Sequence, residues 1–230
     1  MFFKERLTLT MTEAEEHHID LVKGHLVGEA QVGITNQSFM NIAHEVVAGY
    51  YKHDYVLNRI KQFAGVCKAI GLSKNLTVAT FGNNMRDVAV TDGNRLEAQI
   101  KYGWEIKYWG IGEIAKLVDE VTDAEADAKM AEYTAKYTMA TDRIDVVREQ
   151  AKYEVAFEKF LAKNNCQAFT DTFQDLHGLK QLPGIAAQNL MAKGVGFGPE
   201  GDYKISAFSA VLMKMAEGRD GATGFIEDYT

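Results

Sequence analysis

The chain has 230 residues, enough for one large domain or for one domain with part of another. Apolar residues make up 47% and charged residues 25%, which is typical of globular proteins. The net charge of −7, without a dense lysine and arginine cluster, argues against nucleic-acid binding. Neither a signal peptide nor an eighteen-residue apolar run is visible, so we predict no membrane association. Cys67 and Cys166 lie outside any metal-binding or redox pattern, which indicates the cytoplasm.

The elements of the N-terminal part are predicted from short patterns. Residues 12–15 (TEAE) have the form of a capping box, which predicts a helix that follows. Residues 46–48 (VVA) are a short apolar run typical of a strand. Apolar residues from Val56 to Ile70 then recur on one helical face, and this helix is predicted to end at Gly71.

From Leu72 onward, strand patterns alternate with helical ones. Strands are predicted at residues 76–81, 105–109, 166–173, 195–197 and 222–229. Helices are predicted at residues 95–102, at 111–163 with breaks near Asp123 and Thr141, and at 185–193 and 205–217. This alternation predicts an α/β fold, with a mostly parallel sheet that carries helices on both faces. The Glu/Ala/Lys-rich residues 123–136 are predicted to form a solvated helix face.

Residues 196–201 (GFGPEG) match the letters of the GxGxxG dinucleotide motif, but their context does not. A long helix precedes them and leaves room only for a very short strand. Glu200 would place a carboxylate where a pyrophosphate should lie, at the start of the next helix. Glycines around an acidic residue instead suit a loop that presents Glu200 to a metal or a sugar.

A second acidic site, Glu227-Asp228, lies near the end of the last predicted strand. A right-handed strand–helix–strand crossover brings the loop after one strand and the end of the next to the same sheet edge. That carboxyl edge is where open α/β folds bind ligands. We therefore expect the Glu200 and Glu227 carboxylates within roughly 10 Å of each other. The alternative interpretation is two solvated loop acids.

Further polar segments are predicted at this edge of the sheet. Residues 83–86 (NNMR) follow one strand, and residues 171–173 (DTF) end another. Met85 and Phe173 then form part of a small-molecule lining, although ordinary turn chemistry explains these segments equally well. Among the histidines, adjacent His17 and His18 indicate a surface position. For His177 we favour a structural role over a catalytic one.

Several segments together resemble the L-arabinose isomerase family in order and spacing. They are FGNNMRDVAVTDG (81–93), EAQIKYGW (97–104), AFT (168–170), TFQDLHGLKQLPG (172–184), EGD (200–202) and EDYT (227–230). The resemblance covers the chain from about Val46 to its end. One departure is Asn83, where the family usually has aspartate.

The resemblance implies a flavodoxin- or Rossmann-like central domain over residues 71–230, preceded by the remnant of an upstream α/β domain over residues 1–70. It implies that Glu200 and Glu227 bind a divalent metal, usually Mn²⁺, and take part in proton transfer. Two further histidine ligands would lie beyond Thr230. Met85 and Phe173 are similar to residues that line the family's sugar pocket. The implied protein is a cytoplasmic homo-oligomer that acts on L-arabinose or another aldose.

The chemistry of such a site agrees with the residues. Aldose–ketose isomerisation moves a proton between adjacent carbons through an enediol, so it needs a base, an acid and a cation that stabilises negative charge on oxygen. Carboxylates and Mn²⁺ can supply these functions, and hard oxygen ligands suit that ion. The competing interpretation is a catalytically inactive remnant of the family that binds sugar or takes part in assembly. Without the histidines, we expect weak metal affinity and turnover near background.

Overall fold

The computed structural model describes residues 6–10, 44–221 and 223–224. The predicted helix after residues 12–15 lies outside the described residues, and so do the histidines of residues 17–18. Nearly all of the predicted strand at 222–229, including Glu227 and Asp228, lies outside them too. The chain divides into two compact units, residues 1–71 and 72–230.

The first unit contains a two-stranded parallel sheet. Strand β1 (Arg6–Thr10) pairs with strand β2 (His44–Ala48), and Thr8 lies opposite Val46. The strand predicted at residues 46–48 is therefore confirmed. Helix α1 (Asp54–Ser73) follows, and it continues two residues past Gly71, where the sequence predicted its end.

The second unit contains a four-stranded sheet in the order β4-β3-β5-β6. All neighbouring strands in this sheet are parallel, as the alternation of elements predicted. The strands are β3 (Thr77–Phe81), β4 (Glu105–Trp109), β5 (Ala168–Asp171) and β6 (Gly196–Phe197). The helices are α2 (Arg95–Tyr102), α3 (Gly112–Glu120), α4 (Asp123–Lys136), α5 (Ile144–Lys163), α6 (Gly184–Ala192) and α7 (Tyr203–Ala216).

Helices cover this sheet on both faces because its strands are apolar on both faces. Successive residues of a strand point to opposite sides. Val78 and Ala168 thus join one buried cluster, which includes residues of α2 and α7. Phe81 and Phe169 join the other, which includes residues of α3, α4, α5 and α6. Within the described residues, no helix is both long and apolar enough to cross a bilayer.

Local sequence signals set the ends of several helices. The Asn94 side chain accepts a hydrogen bond from the main-chain N–H of Glu97 and so caps the start of α2. Gly103 ends this helix in the left-handed conformation, which glycine adopts without strain. Thr122 and Glu125 form a reciprocal capping box at the start of α4. The predicted break in the long helical region near Asp123 is therefore confirmed.

The prediction that residues 123–136 form a solvated face is wrong for one side of α4. Ala126, Lys129 and Tyr133 are buried, and Tyr133 donates a hydrogen bond to the carboxylate of Glu154 in α5 over 2.6 Å. Lys129 forms ion pairs with Glu154 and Glu158. A lysine in a helix rich in Ala and Glu is usually exposed, but here Glu154 and Glu158 on α5, together with Glu132 on α4, pair with the buried side chain.

Candidate functional site

The site lies at the carboxyl edge of the four-stranded sheet, between β3 and β5. Strand β4 lies on one side of β3, whereas β5 and β6 lie on the other side. Ligands of open α/β sheets bind where the strand order reverses in this way. The strands predicted at residues 76–81 and 166–173 are adjacent in one sheet, although β5 ends at Asp171, before Phe173.

Three loops meet at this edge, and main-chain hydrogen bonds fix their positions. The N–H of Met85, in the loop after β3, donates to the carbonyl oxygen of Glu200 over 2.7 Å. The N–H of Gly201 donates to the carbonyl oxygen of Asp171 over 2.8 Å. The loop after β6 is therefore bonded to the loop after β3 and to the end of β5. Glu200 lies in its middle, as the crossover argument predicted for this residue.

Glu200 is half-buried and has a positive φ of 65°. A non-glycine residue in this conformation carries strain, which the surrounding structure must balance. The bond from Met85 to its carbonyl oxygen and the buried Gly201 that follows provide that support. The loop geometry thus holds the Glu200 main chain at one position on the edge of the sheet.

The glycines of residues 196–201 are explained by close packing. A Cβ on Gly196 would lie 2.1 Å from the carbonyl oxygen of Ser206 in α7. A Cβ on Gly201 would lie 2.4 Å from the carbonyl oxygen of Asn83, and this glycine has a φ of +77°. The first contact lets β6 pack against α7, and the second brings the Glu200 loop against the loop after β3.

Met85 and Phe173 lie on two of the three loops. Met85 is half-buried, whereas Phe173 is 46% exposed. Arg86, which follows Met85, binds Gln174 and Asp175, which follow Phe173. Sequence reasoning placed both loops at this edge but gave no signal of the contacts between them. His177 is exposed in the turns after β5, and its predicted structural role stays a prediction.

Asp171 ends β5 at the carboxyl edge, where the sequence placed residues 171–173. It is buried, and its Oδ2 has no hydrogen-bond partner among the residues that the structure describes. Burial raises the pKa of this carboxyl to about 7. The neighbouring Thr172 is fully buried, and its Oγ1 also lacks a partner. The end of β5 therefore holds buried polar atoms that the described part of the chain does not satisfy.

The described residues alone do not form a metal centre. Within them, no group of three or more His, Cys, Asp or Glu side chains is arranged to hold an ion. Glu200 is the only one of the expected ligands that the described part of the chain contains. Glu227 lies outside it, so the convergence of these two carboxylates stays a prediction.

Comparison with known sequences connects this edge to one family. A family profile described as the L-arabinose isomerase central domain matches residues 77–218. The chain belongs to the L-arabinose isomerase family. The match begins at the first residue of β3 and ends just after α7, so it contains the three loops of the site.

Individual relatives agree with this assignment. The L-arabinose isomerase of Shouchella clausii is 47% identical over 84% of this chain and 40% of its own length. That of Thermotoga petrophila is 44% identical over 83% of this chain and 39% of its own length. The L-arabinose isomerase of Bacillus subtilis is 40% identical over 88% of this chain and 42% of its own length. The chain thus matches about two fifths of the length of these proteins.

Proposed function

We propose that this chain is the central part of an enzyme that isomerises an aldose to a ketose, with L-arabinose and L-ribulose as the pair. The observation that carries the proposal is the direct bond between the Met85 loop and Glu200 at the point where the strand order reverses. The family to which the chain belongs supports the same reaction.

The chemistry assigns Glu200 to proton transfer. In the forward reaction, a base removes the proton from C2 of the sugar and a proton is returned to C1, while the hydroxyl proton of O2 is passed to O1, so that the C1 carbonyl becomes a hydroxyl and the C2 hydroxyl becomes a carbonyl. A half-buried carboxylate suits this task because its position is fixed while a substrate can still reach it. We propose that Glu200 and Glu227 share the acid and base roles.

We propose Mn²⁺ as the cofactor, with Glu200 and Glu227 among its ligands. When bound, such an ion stabilises negative charge that develops on the sugar oxygens. Carboxylate oxygens are ligands that this ion accepts. The two histidines implied by the family resemblance would have to come from outside the 230 residues.

The proposed sugar contacts are Met85 and Phe173. An exposed aromatic ring can pack against the C–H groups of a sugar, and a methionine can adapt its shape to the ligand. We further propose a homo-oligomer in the cytoplasm. The sequence has only two cysteines, and neither lies in a CxxC pattern, which suits a reducing compartment.

One observation favours a second candidate, a non-catalytic remnant that binds sugar weakly or takes part in assembly. The described residues provide Glu200 without a set of three metal-ligating side chains. If no further protein ligand joins Glu200, a divalent ion is bound weakly there, because water must fill the remaining positions.

The deciding experiment measures ketose formation from L-arabinose with added Mn²⁺. The 230-residue chain is assayed alone and again after fusion to the remaining segments of the Shouchella clausii relative. We expect turnover near background for the chain alone and clear turnover for the fusion protein. Robust turnover by the chain alone would contradict the proposed need for further ligands.

Within the active fusion protein, Glu200→Gln removes the proposed base and is expected to lower kcat by at least about 100-fold. Glu120→Gln makes the same chemical change at an exposed position at the end of α3 and should leave kcat unchanged. A fusion protein that binds the sugar but never forms ketose would favour the non-catalytic candidate instead.

A further inference from the structure

Arg86 connects the loop after β3 to the loop after β5 through three hydrogen bonds. Its main-chain N–H donates to Oε1 of Gln174 over 2.7 Å. Its Nη1 donates to Oδ1 of Asp175 over 2.9 Å, and its Nη2 donates to the carbonyl oxygen of Gln174 over 3.3 Å. One residue thus binds two consecutive residues of the opposite loop by both main-chain and side-chain atoms.

These contacts lie next to the proposed sugar-binding residues. Arg86 follows Met85 directly, and Gln174 follows Phe173 directly. Neighbouring Cα atoms are about 3.8 Å apart, so a shift at Arg86 or Gln174 displaces the adjacent residue. Met85 is also bonded through its N–H to the carbonyl oxygen of Glu200. The positions of Met85, Phe173 and Glu200 therefore depend on the same set of loop contacts.

Global stability does not explain this arrangement well. The Arg86 side chain is 61% exposed and that of Asp175 is 33% exposed. Exposed ion pairs contribute little to the free energy of unfolding. Arginine does, however, hold its donors in a rigid planar fork, which fixes the geometry between two acceptors. The contacts are thus better suited to fixing the distance between two loops than to stabilising the fold.

We propose that Arg86 is a positioning residue for the sugar pocket, which holds Met85 and Phe173 at a fixed separation. This inference rests on the proposed function, because it assumes that these two side chains contact the sugar. Arg86 itself touches Gln174 and Asp175 and is not assigned to the chemical step.

The first test measures hydrogen exchange in the 230-residue chain, without any ligand. Arg86→Ala should accelerate exchange of the main-chain amides of residues 85 and 86, since it removes both guanidinium contacts. Arg86→Lys retains the charge but not the fork, and should give an intermediate rate. Lys101→Ala is the control, because it removes an exposed ion pair with Glu97 in α2. Unchanged exchange in Arg86→Ala would overturn the structural part of the proposal.

The second test uses the fusion protein and L-arabinose, with kcat and KM measured separately. We expect Arg86→Ala to raise KM roughly five- to tenfold, with kcat within about twofold of the parent value. Arg86→Lys should recover part of this loss, and Lys101→Ala should change neither constant. An unchanged KM together with faster exchange would overturn the positioning role. A parent protein that neither binds nor converts L-arabinose would overturn the proposed function, while the exchange data would still decide whether Arg86 joins the loops.

Discussion

Glu154 and Asp171 are both buried in the larger unit, but their surroundings are opposite. The Glu154 carboxylate accepts hydrogen bonds from Tyr133, Asn189 and Lys193, and Lys129 lies 3.3 Å from it. Burial alone would raise the pKa of Glu154, but these hydrogen bonds, led by Lys193, lower it below its usual value. Asp171 has an oxygen without a partner, and burial raises its pKa.

The two surroundings indicate two roles. Glu154 joins α4, α5 and α6 through hydrogen bonds from Tyr133, Asn189 and Lys193. Asp171 ends β5 beside the Glu200 loop, where residues 44–221 leave polar atoms unsatisfied. A buried acid with several partners is typical of a structural element. A buried acid with an unpaired carboxylate oxygen at the edge where ligands bind is typical of a functional region.

The largest expected effect follows from removing Glu154. Glu154→Ala leaves Lys129 buried without its central partner and should lower the free energy of unfolding by about 3–5 kcal/mol. Glu158→Ala is the matched control, because Glu158 binds the same two lysines from a side chain that is 34% exposed. Glu158→Ala should lower the free energy of unfolding by about 1 kcal/mol or less. If urea unfolding gave equal losses of the free energy of unfolding for the two variants, the burial of Glu154 would have no special importance.

A smaller and pH-dependent effect is expected at Asp171. The folded state holds the Asp171 proton more tightly than the unfolded state does, because burial raises the pKa from 3.8 to about 7. This contribution to stability is therefore fully present below about pH 4. This contribution is lost as the pH rises to about 7. Above that pH, Asp171 no longer makes the free energy of unfolding depend on pH. The full change is at most about 4 kcal/mol, from the pKa difference.

Asp171→Asn removes this titration while nearly preserving the shape of the side chain. We expect its free energy of unfolding to rise relative to that of the parent protein between pH 4 and pH 7. The measurement is urea unfolding at several pH values, followed by the fluorescence of Trp104 and Trp109. Asp119→Asn, at an exposed position of α3, is the control and should show no such trend. A difference that does not vary with pH would mean that Asp171 is ionised in the folded state.

Sequence patterns predicted most of the fold because its elements are locally encoded. The bounds of α2 and β4 follow from apolar periodicity, the Asn94 cap and Gly103. The error in residues 123–136 has a different origin. Two of the acidic partners of Lys129, Glu154 and Glu158, lie on α5, with Glu158 29 residues further along the chain, and no local pattern contains that information. Tertiary contacts thus decided which side of α4 is buried.

The candidate site also combines features that the sequence predicts with features that only tertiary contacts decide. The position of Glu200 at the carboxyl edge follows from chain topology, which the alternation of elements predicted. The burial of Asp171 and the contacts of Arg86 depend on how two loops pack, and loop packing has no periodic signal. The partnership of Glu200 with Glu227 stays a prediction from the crossover and the family resemblance.

The smallest expected effects compare two helix caps, one beside the site and one at the start of α2. Asp202 accepts hydrogen bonds from the N–H groups of Lys204 and Ile205 at the start of α7, and Asn94 accepts one from Glu97. Replacing either by alanine should cost about 1 kcal/mol of stability. Only Asp202 lies in the loop of Glu200, where its N–H also donates to the carbonyl oxygen of Pro199. Asp202→Ala keeps that main-chain bond but removes the side-chain bonds that tie this loop to the start of α7, so it should accelerate hydrogen exchange at the Met85 amide, which is bonded to Glu200, whereas Asn94→Ala should not. If both variants lose stability but neither changes that exchange rate, the Glu200 turn is held by its contacts with Met85 and Asp171 alone, and the cap serves only the helix.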